Sequence, residues 1–296
     1  MLDLLLGILF FNCILILFKL FDKYKADNFQ AIIINYVVAG GLGLSVFLRH
    51  EPISVNTILG YDWFYYAILI GCFFIGVFKL LADGAQKVGL AISTVANKMS
   101  VILPVIASFI LYGDSITGLK IIGLILALIG VVLSASEKGK LSFDKKYLWL
   151  ILIIFFGQGI ADILFNYAQS QYVDPTQAPL FISTIFLSAF VVGSLVLTIR
   201  VLQKKEKLRI KNIGWGIALG VPNYLTVYYF FRALDSGMWE SSEAYPLLNM
   251  GVIVLSALTG FLLFKEKFSL SNWLGIGLCV IAICFISLER FIHLLF

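Results

Sequence analysis

Along this chain, apolar residues gather in runs of about twenty, separated by short polar stretches. Transmembrane strands would alternate apolar and polar positions over about ten residues. Runs such as Leu4–Leu17 and Leu148–Phe156 do not alternate. They read as helices, the open-ended element that satisfies its own backbone hydrogen bonds in lipid. The pattern predicts ten spans, at 2–21, 28–48, 62–82, 88–112, 118–135, 147–169, 177–199, 212–233, 240–263 and 270–289. The expected fold class is an all-α integral membrane protein with short loops.

Composition agrees. The 296 residues are 60% hydrophobic and 13% charged, with a mean hydropathy of +0.98. Soluble domains carry about 25% charged residues. This chain has too little charge to cover a water-facing surface, which excludes a soluble globular protein and a disordered one. Asp3 stands where a signal peptide would be basic, so the first span reads as a retained helix. Cys13, Cys72, Cys279 and Cys284 fall inside apolar runs, with neither metal-ligand spacing nor a disulfide framework. No metal and no cofactor is expected.

The net charge of +5 lies mainly in loops, so it reports membrane orientation and gives no sign of nucleic acid. Loops after odd-numbered spans carry 16 basic residues and the opposite side carries 4. That bias puts the odd loops in the cytoplasm and both termini outside.

The chain also repeats itself. Gln86–Leu90 matches Leu234–Met238 at an offset of 148. Tyr112–Thr117 matches Phe264–Ser269, and Gly123 matches Gly275, at an offset of 152. Five spans per copy would make the second copy enter the membrane upside down, which is a pattern of secondary transporters.

The matched segments share an order: a span with an internal proline, a short turn carrying an acid, then a span opening on Ile-Gly or Leu-Gly. In the first half these are Ala91 to Pro104, Gly113–Thr117 with Asp114, and Ile122-Gly123. In the second they are Ser241 to Pro246, Lys265–Ser269 with Glu266, and Leu274-Gly275. This order resembles the EamA-like repeat of the drug/metabolite transporter superfamily. The resemblance implies ten helices in a 5+5 inverted repeat, with residues 1–138 and 144–289 as the two five-helix copies. It also implies a central cavity, alternating access, and both termini in the cytoplasm, opposite to the charge bias. The family's turn acid is usually Glu, and here the first copy has Asp114.

A charge at bilayer depth costs at least about 2.5–3.5 kcal/mol on insertion scales, so each one needs a reason. Lys98, with Asn97 beside it, sits mid-span six residues before Pro104. It is either a cavity cation for a substrate anion or a lysine that snorkels or pairs structurally. Gln158, Asp162, Asn166 and Gln169 form a polar stripe on one span. An interhelical hydrogen-bond seam would explain the amides. Asp162 is harder to explain so, because an amide would serve a seam with less desolvation. Burial raises a carboxylate's pKa, which makes Asp162 the candidate proton carrier.

Glu240 reads as an ordinary first-turn acid. Glu243 lies deeper, three residues before Pro246, and is a candidate for a substrate ammonium. Asn223, Tyr224 and Tyr228 are mid-span near Pro222, where tyrosine is less usual than at the interface. The candidate substrate contacts are therefore Lys98, Asn97, Glu243, Tyr224, Tyr228 and Asn166, with Asp162 for the proton. Lys79 with Asp83, and Arg232 with Asp235, read as interfacial ion pairs.

Charges of both signs fit a small polar or amphipathic, amino-acid-like metabolite. The expected protein is a secondary transporter, more specifically an exporter, as monomer or homodimer in the plasma membrane (the inner membrane of a bacterium). No Walker loop for ATP appears. The competing reading is a membrane-embedded enzyme or lipid flippase acting on lipid-linked substrates. Against an enzyme, the only histidines are His50 and His293, and no catalytic motif appears.

Overall fold

A computed structural model describes residues 1–49, 55–87, 90–135, 147–203, 209–265 and 268–295. Twelve α-helices follow in order: α1 Leu2–Lys23, α2 Asn28–Leu48, α3 Val55–Leu59, α4 Phe64–Lys87, α5 Leu90–Met99, α6 Ile102–Leu111, α7 Gly118–Ala135, α8 Leu148–Tyr172, α9 Ala178–Leu202, α10 Lys211–Asp235, α11 Ser241–Phe264 and α12 Leu270–Leu295. The chain is an all-α, multi-pass membrane protein. Among the described residues, eight segments are long and apolar enough to cross a bilayer, and α5 with α6 makes one of them. Gly118–Ser134 is a shorter apolar helix, and α10 is as long as α8 without reaching their apolarity.

Polar side chains set the helix starts. Asp27 accepts from the Gln30 N–H at the entry to α2. Asp174 opens a 3-10 turn at Pro175–Gln177 that leads into α9, with Pro179 in its first turn. Each cap satisfies N–H groups that a helix cannot pair internally.

The predicted fourth span, 88–112, is not one helix. It breaks at Ser100–Val101, between α5 and α6. Pro104 has no N–H for the Ser100 carbonyl, and its ring would crowd it. That carbonyl accepts from Leu103 instead, at 2.9 Å. Pro246 is only the sixth residue of α11, which stays continuous around it.

The chain forms two compact units. The first comprises Met1–Ile8, Val77–Ile163 and Ser236–Phe296; the second comprises Leu9–Gly76 and Leu164–Asp235. In the first, α7 and α12 pack antiparallel through reciprocal contacts. Gly123 faces Ile286 and the Ala282 carbonyl, while Gly275 faces Ser134 and the Gly130 carbonyl. Each residue of the second contact is the 152-residue mate of one in the first. Two glycines thus bring two backbones together at related points, the symmetric contact that an inverted repeat produces. Ala127 and its mate Cys279 are both fully buried in the core between these helices.

In the second unit, α2 packs on α9 and on α10. Gly40 and Gly43 admit Leu187 and Tyr224, and Gly220 admits Val38. Gly41, two residues from Gly43, faces open space and lets nothing approach.

Candidate functional site

Three helices of the first unit carry a hydrogen-bonded polar circuit. The Lys98 ammonium, in the last turn of α5, donates to Asn249 Oδ1 on α11 at 3.1 Å. One turn earlier on α11, the Tyr245 carbonyl accepts from Asn249 Nδ2 at 3.0 Å. The Tyr245 hydroxyl donates to the main-chain carbonyl of Asp162 on α8 at 2.8 Å. Gln158 Nε2 donates to the Asp162 carboxylate at 3.0 Å, and Gln158 Oε1 accepts from Asn97 Nδ2 at 3.0 Å. Asn97 and Lys98 are neighbours, so the α5 backbone closes the loop.

Helix geometry explains the arrangement. Gln158 and Asp162, like Tyr245 and Asn249, are four residues apart and share a face. The break after α5 puts Lys98 beside the carbonyl end of a half-helix, where a cation is favoured. Asn249 supplies an acceptor, and Lys98 and Asp162 each act electrostatically on the other. A lysine and a carboxylate are thereby held in apolar spans, half-buried, with amides between them.

Glu243 lies in the same unit but belongs to a different cluster. Its Oε2 accepts from the Glu240 N–H at 3.0 Å, forming a capping box at the start of α11. Its Oε1 is 3.3 Å from Lys120 Nζ, which also meets Glu240 Oε2 at 2.6 Å. Lys120 Nζ donates to Ser115 Oγ at 2.7 Å, and Asp114 accepts from the Ser242 N–H at 2.8 Å. The turn between α6 and α7 is therefore fastened to the first turn of α11. Lys120, one of the four basic residues that the sequence assigns to the side opposite the odd loops, is only 4% exposed. Glu240 is a member of this ion cluster as well as a cap.

The remaining candidates lie in the second unit. Asn166 is buried on α8. Tyr224 is buried and stacks on Tyr228 at 5.7 Å, and the Arg232 guanidinium stands over the Tyr228 ring at 5.9 Å. Asn223 donates to Asn35 at 3.0 Å. Among the described residues, the Tyr224 hydroxyl is buried without a hydrogen-bond partner.

Sequence reading missed Tyr245, Asn249 and Lys120. Asn249 did carry a signal, because it is the 152-residue mate of Asn97. The Asp83 side chain and Glu266, with the basic residues at 138–146 and 204–207, lie outside what the structure describes. Among the described residues no group of His, Cys, Asp and Glu could hold a metal ion, and the four cysteines are free.

Comparison with known proteins agrees with this picture. Residues 182–288 match the EamA-like transporter family. Over that stretch, about a third of its length, the chain is similar to EamA-like transporters. It is 28% identical to an uncharacterized protein of Haemophilus influenzae, over 98% of this chain and 99% of that one. A second likeness, 45% identical over 42 residues, is to a probable 4-amino-4-deoxy-L-arabinose-phosphoundecaprenol flippase subunit ArnE of Hamiltonella defensa. It covers 14% of this chain and 37% of that protein. A solved crystal structure shares the fold with a TM-score of 0.77, at 15% identity, covering 98% of this chain and 96% of its own.

Proposed function

We propose that this chain is a secondary transporter that exports a small polar or amphipathic, amino-acid-like metabolite, coupled to protons. The observation that carries the reading is the circuit of Asn97, Lys98, Gln158, Asp162, Tyr245 and Asn249 within apolar helices. Intramembrane charges of both signs, held by amides that can exchange partners, suit a ligand bearing both an anionic and a cationic group. In this reading Lys98 and Asn97 hold the substrate anion, and Asp162 carries the proton. Glu243 receives a substrate cation when Lys120 releases it. Asn166, Tyr224 and Tyr228 are the candidate substrate contacts within the second unit.

The architecture in this proposal is ten helices in a 5+5 inverted repeat, residues 1–138 and 144–289, working by alternating access. The reciprocal Gly123 and Gly275 contacts support it. The proposed location is the plasma membrane, the inner membrane in a bacterium. The test is a metabolite screen in proteoliposomes with and without a pH gradient. Substrate-specific flux that responds to the gradient is the expected result; no flux of any amino-acid-like compound would overturn the proposal.

The likeness to an ArnE flippase subunit supports a second reading, in which the cargo is lipid-linked. Flipping of a phosphoundecaprenol-linked amino sugar in the same vesicles, without flux of soluble metabolites, would select it.

A further inference from the structure

We infer that the second unit carries a binding pocket for an anionic phospholipid headgroup, separate from the transport residues. A cavity of about 360 Å³ opens where the end of α1 meets the starts of α2 and α10, lined by Phe21, Lys25, Asp27, Asn28 and Arg209. That volume falls in the range of small-ligand sites and holds a phosphate ester with its glycerol. Lys25 and Arg209 contribute two positive charges, and among the described residues neither side chain has an ion-pair partner. Asp27 is the one acid in the lining, and its Oδ1 is occupied by the Gln30 N–H at 3.1 Å. The N-terminus of α2, a 21-residue helix, borders the same space through Asn28, and its dipole favours an anion there.

Two further observations place the pocket at headgroup depth. Trp215 packs on Phe21 at 5.3 Å and on Tyr24 at 5.5 Å, an aromatic group of the kind that sits at the membrane interface. Phe21 is also where the first apolar span ends. Lys23 lies over the Tyr24 ring at 5.7 Å, and Lys211 donates to the Lys25 carbonyl at 2.9 Å, so two more basic residues stand next to the lining segment. A cationic pocket between helix ends at this depth meets the phosphate of a lipid before any other anion. The same chemistry would take a free phosphate ester, so the experiment separates the two sources.

Delipidated protein is incubated with phosphatidylglycerol or phosphatidylcholine of matched chains, and bound lipid is counted by native mass spectrometry. Wild type should retain phosphatidylglycerol about tenfold over phosphatidylcholine. Lys25 has φ 50°, in the left-handed region that asparagine tolerates, so Lys25→Asn removes the charge without straining the turn. Lys25→Asn with Arg209→Gln should bring the preference close to parity. Arg209→Gln alone should lose part of it, and Lys265→Gln, in the other unit, should keep it. Equal retention of both lipids by wild type would overturn the inference, as would an unchanged preference in the double variant. Binding of glycerol phosphate or inorganic phosphate without any lipid preference would overturn the lipid assignment.

Discussion

The α5–α6 segment and α11, which the sequence offset of 152 sets side by side, differ in two ways. Both follow the same sequence order, yet one is broken at Ser100–Val101 and the other runs unbroken from Ser241 to Phe264. Their prolines are not mates. Pro104 falls deep in its span, where a missing N–H must be absorbed by a turn, while Pro246 falls near a helix start. The start of α11 is also fastened from outside by Asp114, Ser115 and Lys120. The second divergence is at one residue. Asn97 and Asn249 are mates at the 152 offset, but Lys98 has Met250 as its mate, fully buried in the apolar core. An apolar side chain thus fills the position in α11 whose match in α5 is a cation beside a helix break. On the proposed reading of two related halves, chemistry belongs where the matched segments differ.

The largest expected effect comes from erasing that difference. Lys98→Met makes the position match its mate. It should reduce transport to background while folded protein stays in the membrane, at equal or greater thermal stability, because methionine fills similar volume without a buried charge. Wild-type flux in this variant would leave Lys98 a structural role only. Next in size is Lys120→Ala, which leaves Glu240 and Glu243 facing each other without their cation. The expected loss is about 3–5 kcal/mol of stability, measured by denaturant unfolding in detergent.

The prolines should separate more gently. Pro104→Ala lets α5 and α6 join and should slow flux about tenfold, whereas Pro246→Ala should leave it within about twofold. Equal effects would show that the break does not distinguish the two copies. Smallest is Glu240→Gln, which keeps a hydrogen bond to Ser115 and should lower stability by about 1 kcal/mol in the same unfolding measurement.

How much of this was legible in the sequence follows from the range of each interaction. Apolar run length announces a membrane helix locally, so the multi-pass fold was readable. The reciprocal packing of α7 on α12 was foreshadowed by Gly123 and Gly275, because a repeat offset is a long-range signal written in one chain. Asn97, Lys98, Gln158 and Asp162 drew attention because each is costly in lipid. Lys120 did not, since it stands near a span end and its partners lie 120 and 123 residues away. The break in the fourth span was also missed. Pro104 marked the neighbourhood, but whether a proline bends or interrupts a helix depends on what its neighbours can bond to instead. Asn249 was not singled out, because its partner Lys98 lies 151 residues away in the chain.

Coupling is the central claim, and Asp162 carries it. Reconstituted Asp162→Asn should be compared with wild type in two assays on the same vesicles: accumulation driven by a pH gradient, and exchange of labelled for unlabelled substrate at equal pH. The account predicts that the variant loses accumulation and keeps exchange, since asparagine preserves the hydrogen bond to Gln158 but cannot carry a proton. Full gradient-driven accumulation in Asp162→Asn would contradict it.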